Sequence, residues 1–173
     1  MNNNTFVHKY IKSLIGKDDV TADLTAGNGN DTLFLSQLSK KVYAFDISAE
    51  AIASTKEKIT GRDNVILVHD SHAQIDQYVK EKLRLTIFNL GYLPHGKEYS
   101  VTSGPETLIA VEKSYELLES SGYLIITFYL SHQGGRDEYY LLQDHIQKNR
   151  LPILETYSQD KTDSPITYII RKD

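Results

Sequence analysis

Cysteine is missing from this chain, which excludes disulfides, thiolate metal sites and a cysteine nucleophile. No apolar run approaches the roughly 20 residues of a membrane-spanning helix. The opening Met1-Asn2-Asn3-Asn4-Thr5 lacks the basic and then apolar layout of a signal peptide. The expected location is therefore the cytoplasm, with no membrane partner. Lysine and arginine form no basic tail, and the net charge is -4. That argues against a protein that coats nucleic acid by neutralising phosphates, but not against an enzyme that grips a few phosphates through a local patch. His-x-x-x-His spacing and Asp/His clusters at ligand spacing are absent, so no metal is expected. There is no Gly-Lys-Ser/Thr, hence no P-loop, and no Gly-x-Ser-x-Gly elbow of a serine hydrolase.

What is present is one domain's worth of chain, residues 1–173, with 40% hydrophobic and 24% charged residues. Short β-branched runs predict strands over 20–25, 41–47, 65–70, 85–90 and 122–129. Helical spacing fills 31–39, 48–60, 72–82 and 104–120 between them, and an N-terminal helix is expected over 5–15. Ser48 suits a helix start and Gly61 its stop. This alternation predicts a parallel sheet with helices on both faces. After a helix over 138–148, two runs at 153–158 and 165–171 flank a polar, turn-rich stretch and predict an antiparallel hairpin at one sheet edge.

The first strand runs into Asp23-Leu24-Thr25-Ala26-Gly27-Asn28-Gly29-Asn30-Asp31. Glycines at a strand-to-helix turn let backbone approach a ligand. Thr32 stands where a dinucleotide fingerprint would carry its third glycine. Asp23 suits a ligand with an amino-acid moiety, whose ammonium needs a carboxylate. Asp46 ends the second strand seventeen residues beyond Gly29, where an acid accepts from ribose hydroxyls. Asp70-Ser71-His72 ends the third; Asp70 could accept from an adenine amino group and the Ser71 N–H could donate to the ring. A lone Gly-x-Gly or strand-end Asp is often only a turn or a cap, but three such ends in order point to a nucleoside ligand.

The segment 23–32, Asp70-Ser71-His72, Asn89-Leu90-Gly91-Tyr92-Leu93-Pro94, and His132-Gln133-Gly134-Gly135 with Glu138 together resemble class I S-adenosylmethionine (SAM)-dependent methyltransferases. More narrowly, they resemble a small bacterial family labelled rRNA methylases. The likeness covers nearly the whole chain, and departs from the family at Ser131, where a glycine is usual. It implies an α/β, Rossmann-like sheet of order 3-2-1-4-5-7-6 with strand 7 antiparallel. It implies SAM contacts from Asp23, Thr25, Gly27, Asn28, Gly29, Asn30, Asp31, Thr32, Asp46, Ile47, Asp70, Ser71, His72, Asn89 and Leu90. The substrate it implies is the 5-aminomethyl group of 2-thiouridine at the tRNA wobble position, in the anticodon stem-loop. An rRNA, a small-molecule amine, or a non-catalytic SAM- or RNA-binding role are the alternatives. With no appended RNA-binding domain expected, a homodimer could share the grip on RNA.

The spacing Asn89-x-x-Tyr92 resembles the Asn-Pro-Pro-Tyr signature of amino-group methyltransferases. The Asn89 side-chain oxygen and the Leu90 carbonyl can accept amine N–H groups, and Tyr92 can stack on a base. The alternative is that Asn89 merely caps its strand. Catalysis of a direct methyl displacement needs alignment within about 3–3.5 Å more than acid–base machinery. An alkylamine, with a pKa near 10.4 like lysine, must first lose a proton; Tyr92, His95 and His132 are candidate acceptors, and the sequence does not choose among them. Gly91, Pro94, His95 and Lys97, with Gly134, Gly135 and Arg136, are the remaining candidate substrate contacts. Lys97 and Arg136 could bind phosphate. His8 could sit over the SAM site.

Overall fold

The computed structural model describes residues 1–91, 104–159 and 163–173. In chain order the elements are α1 (Asn3–Ile11), β1 (Val20–Asp23), α2 (Asn30–Leu38), β2 (Lys41–Asp46), α3 (Ala49–Lys58) and β3 (Val65–His69). A 3-10 turn (His72–Gln74) leads into α4 (Ile75–Tyr78), followed by β4 (Leu83–Leu90), α5 (Gly104–Leu117), β5 (Leu118–Phe128), α6 (Gly135–Lys148), β6 (Ile153–Ser158) and β7 (Ile166–Arg171). The seven strands form one sheet of order β3-β2-β1-β4-β5-β7-β6. Strands β1 to β5 pair in parallel, and β7 runs antiparallel to both β5 and β6. The expected order and C-terminal hairpin are both present.

Local chemistry sets most boundaries. Asn2 caps α1 by accepting the Thr5 N–H at 2.8 Å, and Ser48 caps α3 by accepting the Ala51 N–H at 3.3 Å. The helix expected over 72–82 stops at Tyr78 instead. Val79 turns extended (φ -94°, ψ 114°) and is 1% exposed, so burying its side chain overrides helical spacing. Glu81 then accepts from the Tyr43 hydroxyl at 2.7 Å and Lys41 Nζ at 2.5 Å, and β4 begins at Leu83. At the other boundary, Leu118 pairs with Leu83, which ends α5 at Leu117, before the expected 120.

Two apolar clusters sandwich the sheet. Val7, Ile11 and Leu35 from α1 and α2 pack on Val42, Leu85, Ile87, Ile125 and Ile169. On the other face Ile75, Ala110, Val111, Leu142 and Ile146 cover Phe45, Phe88, Leu124, Ile126 and Phe128. Each large side chain so enclosed stabilises the fold by roughly 1.5–3 kcal/mol. Among the described residues no helix is long and apolar enough to cross a membrane. Chain order reverses between β1 and β4, so the carboxyl ends of these strands open the crevice in which open α/β sheets hold ligands.

Candidate active site

Leu24 leaves β1 with its N–H on the Ile87 carbonyl (3.0 Å), and the Ala26 N–H reaches the Phe45 carbonyl (2.9 Å). The turn then passes through Gly27 (φ 53°) and Gly29 (φ 76°), both left-handed, and α2 begins at once. A Cβ on Gly29 would lie 2.8 Å from Thr55 Cα. That glycine therefore lets α3 close on the turn, where the Thr55 hydroxyl donates to the Gly27 carbonyl at 3.1 Å. Asn28 and Asn30 face solvent, and Lys58 Nζ donates to Asn30 Oδ1.

The strand-end acids have distinct tasks. Asp46 accepts the Gly27 N–H (2.9 Å) and the Ser48 N–H (2.9 Å), tying β2 to the turn. Next to it Ile47 is 52% exposed, an apolar face open at the crevice. Asp70 accepts from the Tyr78 hydroxyl (2.6 Å) and from the Ser71 N–H (2.7 Å). The Tyr78 hydroxyl first, then the Ser71 N–H, holds its carboxyl below the usual carboxylate range. The Ser71 N–H, expected to meet an adenine ring, is thus engaged by its own neighbour. His72 Nδ1 faces the Leu24 carbonyl at 3.0 Å, and burial lowers its pKa. It braces the chain where it leaves β1.

Asp23 departs furthest from its expected role. It is fully buried and accepts from the Thr32 hydroxyl at 2.6 Å and the Thr25 N–H at 3.2 Å. Thr32, in the place of a third glycine, is its partner. A direct contact with a ligand ammonium is replaced by a contact that fixes the turn. Burial first, then the Asp31 carboxylate, pushes the Asp23 pKa up to about 7.

At the end of β4, the Asn89 N–H donates to Thr25 Oγ1 at 2.7 Å, and Asn89 Nδ2 donates to Asp31 Oδ2 at 2.6 Å. The Leu90 carbonyl, expected as a second acceptor for an amine, already accepts the Tyr129 N–H (3.1 Å) and lies 3.3 Å from His132 Nε2. The return of the chain after β5 fills it. His132 is buried, with Nδ1 3.0 Å from the Gln133 carbonyl, so its ring links the end of β4 to the turn that leads into α6. A Cβ on Gly91 would meet the Tyr129 ring at 3.4 Å. Gly134 (φ 81°) is open, but a Cβ on Gly135 would fall 2.5 Å from the Tyr129 carbonyl and 2.9 Å from His132 Nε2. Gly135 therefore admits the close approach of the Tyr129 carbonyl and the His132 ring. Arg136 pairs with Asp163 at 2.5 Å on the surface. Tyr92, Pro94, His95 and Lys97 lie outside the described residues.

Sequence reasoning left two contributors without a defined task. His8 Nε2 reaches Asp31 Oδ1 at 2.5 Å, and Tyr129 borders Gly91. The available signal was weak: a histidine beside Lys9 in a short helix does not show where its ring points.

Asp46 at the end of β2, the exposed Ile47 beside it and the glycine turn that Asp23 braces from beneath fit an adenosyl ligand. Such a set suits a diol and a purine face together. Fold and site define a SAM-dependent methyltransferase of the Rossmann-like class. The family model described as "Putative rRNA methylase" matches residues 42–171, and the chain belongs to that family. It is 33% identical over 147 residues to the "tRNA (mnm(5)s(2)U34)-methyltransferase, chloroplastic" of Arabidopsis thaliana, across 76% of this chain and 54% of that one. The chain thus spans about half the length of that curated relative. Two crystal structures align over its full length. "A putative methyltransferase from streptococcus mutans in complex with SAH" shares 34% identity and a TM-score of 0.90, over 99% of that chain. A "putative rRNA-methylase" from Clostridium thermocellum shares 32% and 0.92, over 98% of that chain.

Proposed function

We propose that this chain transfers a methyl group from SAM to the amine of 5-aminomethyl-2-thiouridine at the wobble position of tRNA. One observation carries the amine half. The Asn89 amide donates its N–H to Asp31, which leaves the amide oxygen as the acceptor at the carboxyl end of β4. An amine nucleophile offers N–H groups for that oxygen to receive, and receiving one fixes the direction of the nitrogen lone pair. The printed substrate of the Arabidopsis relative supports the tRNA half, and the family description supports RNA more broadly.

Asp46 would hold the ribose hydroxyls, Ile47 would cover the purine face, and the turn from Gly27 to Gly29 would supply backbone. When bound, SAM supplies an electrophilic methyl group that departs from a neutral thioether. The chain's own share is alignment: Thr25 pins the Asn89 backbone, Asp31 sets its amide, and His132 with Tyr129 holds Leu90 in register. Aligning reactants in this way accounts for a large part of a displacement barrier. The amine must arrive neutral, and an adjacent positive charge lowers its pKa toward that state.

Nucleoside mass spectrometry of tRNA from a deletion strain tests the substrate. Accumulation of the unmethylated aminomethyl nucleoside, reversed by the wild-type gene, is the expected result. An unchanged tRNA profile removes the wobble uridine and returns the rRNA of the family description as the target to examine.

A further inference from the structure

Three side chains from three elements meet at the amine acceptor. Asn89 ends β4, Asp31 opens α2, and His8 lies on α1. Asp31 Oδ2 accepts from Asn89 Nδ2 at 2.6 Å, and Asp31 Oδ1 lies 2.5 Å from His8 Nε2. The His8 ring is stacked on Phe34 at 3.8 Å with planes 3° apart. The Asp31 side chain is 21% exposed and that of His8 29%, so water competes with both contacts only in part.

An asparagine amide has an oxygen and a nitrogen of nearly equal size. Packing leaves its two orientations close in energy; a partner that can only accept separates them. An ionised Asp31 is such a partner. Reversed, Asn89 would set its oxygen against Asp31 Oδ2, two acceptors at hydrogen-bond distance with no proton between them. The hold is stronger than a neutral contact because the acceptor is charged. His8, kept flat by Phe34, occupies the second carboxylate oxygen and stops the carboxylate turning away.

The geometry points to Asp31 and His8 as positioning residues for amine methylation: they clamp the Asn89 amide so that its oxygen faces the acceptor amine. This rests on the amine reading above and moves Asp31 from the cofactor contact expected in sequence to a contact with the catalytic asparagine. The backbone half of the same clamp is Thr25, which fixes the Asn89 N–H.

Four variants separate the parts. Asp31→Leu removes the acceptor at similar size, and Asp31→Asn keeps one carbonyl oxygen for Asn89. His8→Phe keeps the stack and loses the donor, and His8→Gln keeps an N–H donor. Nitrogen-15 NMR of the protein without RNA reads the clamp directly. The Asn89 side-chain amide protons are expected downfield in wild type, at ordinary positions in Asp31→Leu, partly moved in His8→Phe and in Asp31→Asn, whose acceptor is neutral, and near wild type in His8→Gln. In turnover on purified tRNA, kcat should fall about 100-fold in Asp31→Leu and about tenfold in His8→Phe, the scale of a small misplacement. SAM affinity by calorimetry should stay within about threefold, since the clamp acts on Asn89. Asp31→Leu combined with Asn89→Ala should be no slower than Asn89→Ala alone.

Unmoved Asn89 resonances in Asp31→Leu would overturn the clamp, as would SAM affinity weakening in step with kcat/KM, or losses that multiply in the double variant. If Asp31→Leu does not fold, His8→Phe supplies the same NMR comparison. Failure of the wild type to methylate tRNA would defeat the parent reading alone, because the NMR result needs no RNA.

Discussion

Asp23 shows how a fully buried residue can shape a site through the turn it braces. A carboxyl that titrates near pH 7 in the folded chain but near 3.9 when unfolded binds its proton more tightly in the folded state. Its contribution to stability is therefore complete below about pH 4, is lost as pH rises toward 7, and stays lost above. Asp23→Asn keeps a carbonyl oxygen for the Thr25 N–H and carries no charge. Melting temperatures between pH 5 and 8 should fall with pH in wild type relative to this variant, and the two curves should converge at the acid end. Parallel curves would show that the buried carboxyl is ionised throughout.

The residues that sequence could place are those whose partners are close along the chain. Asp46 and Ser48, or Gly27 and Gly29, declare a turn by themselves. His8 and Asp31 are 23 residues apart, and Asn89 and Asp31 are 58 apart. No periodicity reports that they meet. Asp23 was assigned to a ligand because acidity is visible in a sequence and full burial is not. The same limit hid the occupation of the Leu90 carbonyl, which depends on where the chain returns after β5.

Among the elements, the parallel strands were legible because apolar runs bounded by turn residues leave few alternatives, and the C-terminal hairpin followed from its polar connection. The short α4 was not, since the pattern from His72 to Lys82 is as helical as that of its neighbours. What stops it is the burial of Val79 and the pull of Glu81 toward Lys41 and Tyr43. The corner between β5 and α6 carries a prediction of its own. Glu138 at the start of α6 accepts from the buried Thr107 hydroxyl of α5 at 2.7 Å, so this corner cannot swing freely. Gly135→Ala must then push the Tyr129 carbonyl and His132 apart. Overpacking of this kind typically costs about 1–3 kcal/mol. A lowered melting temperature with a disproportionate loss of methyl transfer is expected, whereas Gly134→Ala, with nothing near its Cβ position, should cost only the strain of a side chain on left-handed backbone.

For the molecule as a whole, charge sets the terms of an RNA encounter. A chain of net charge -4 without a basic tail cannot hold RNA by broad phosphate neutralisation. Three or four phosphate contacts would give a slope of log affinity against log salt of about -2 to -3 for single-stranded RNA. Titrations of an anticodon stem-loop between 50 and 200 mM salt, roughly the range over which such slopes are usually read, would check this. A slope several times steeper would require a cationic surface that the composition does not suggest, or a second subunit contributing one.

The exposed Ile47 at the rim of the crevice has a practical consequence. The chain contains no tryptophan, so Ile47→Trp would introduce a single indole, which can be excited at longer wavelength than the twelve tyrosines. A purine stacking on that indole would quench its emission. Occupancy of the nucleoside pocket could then be followed in real time, independently of catalysis and of any RNA.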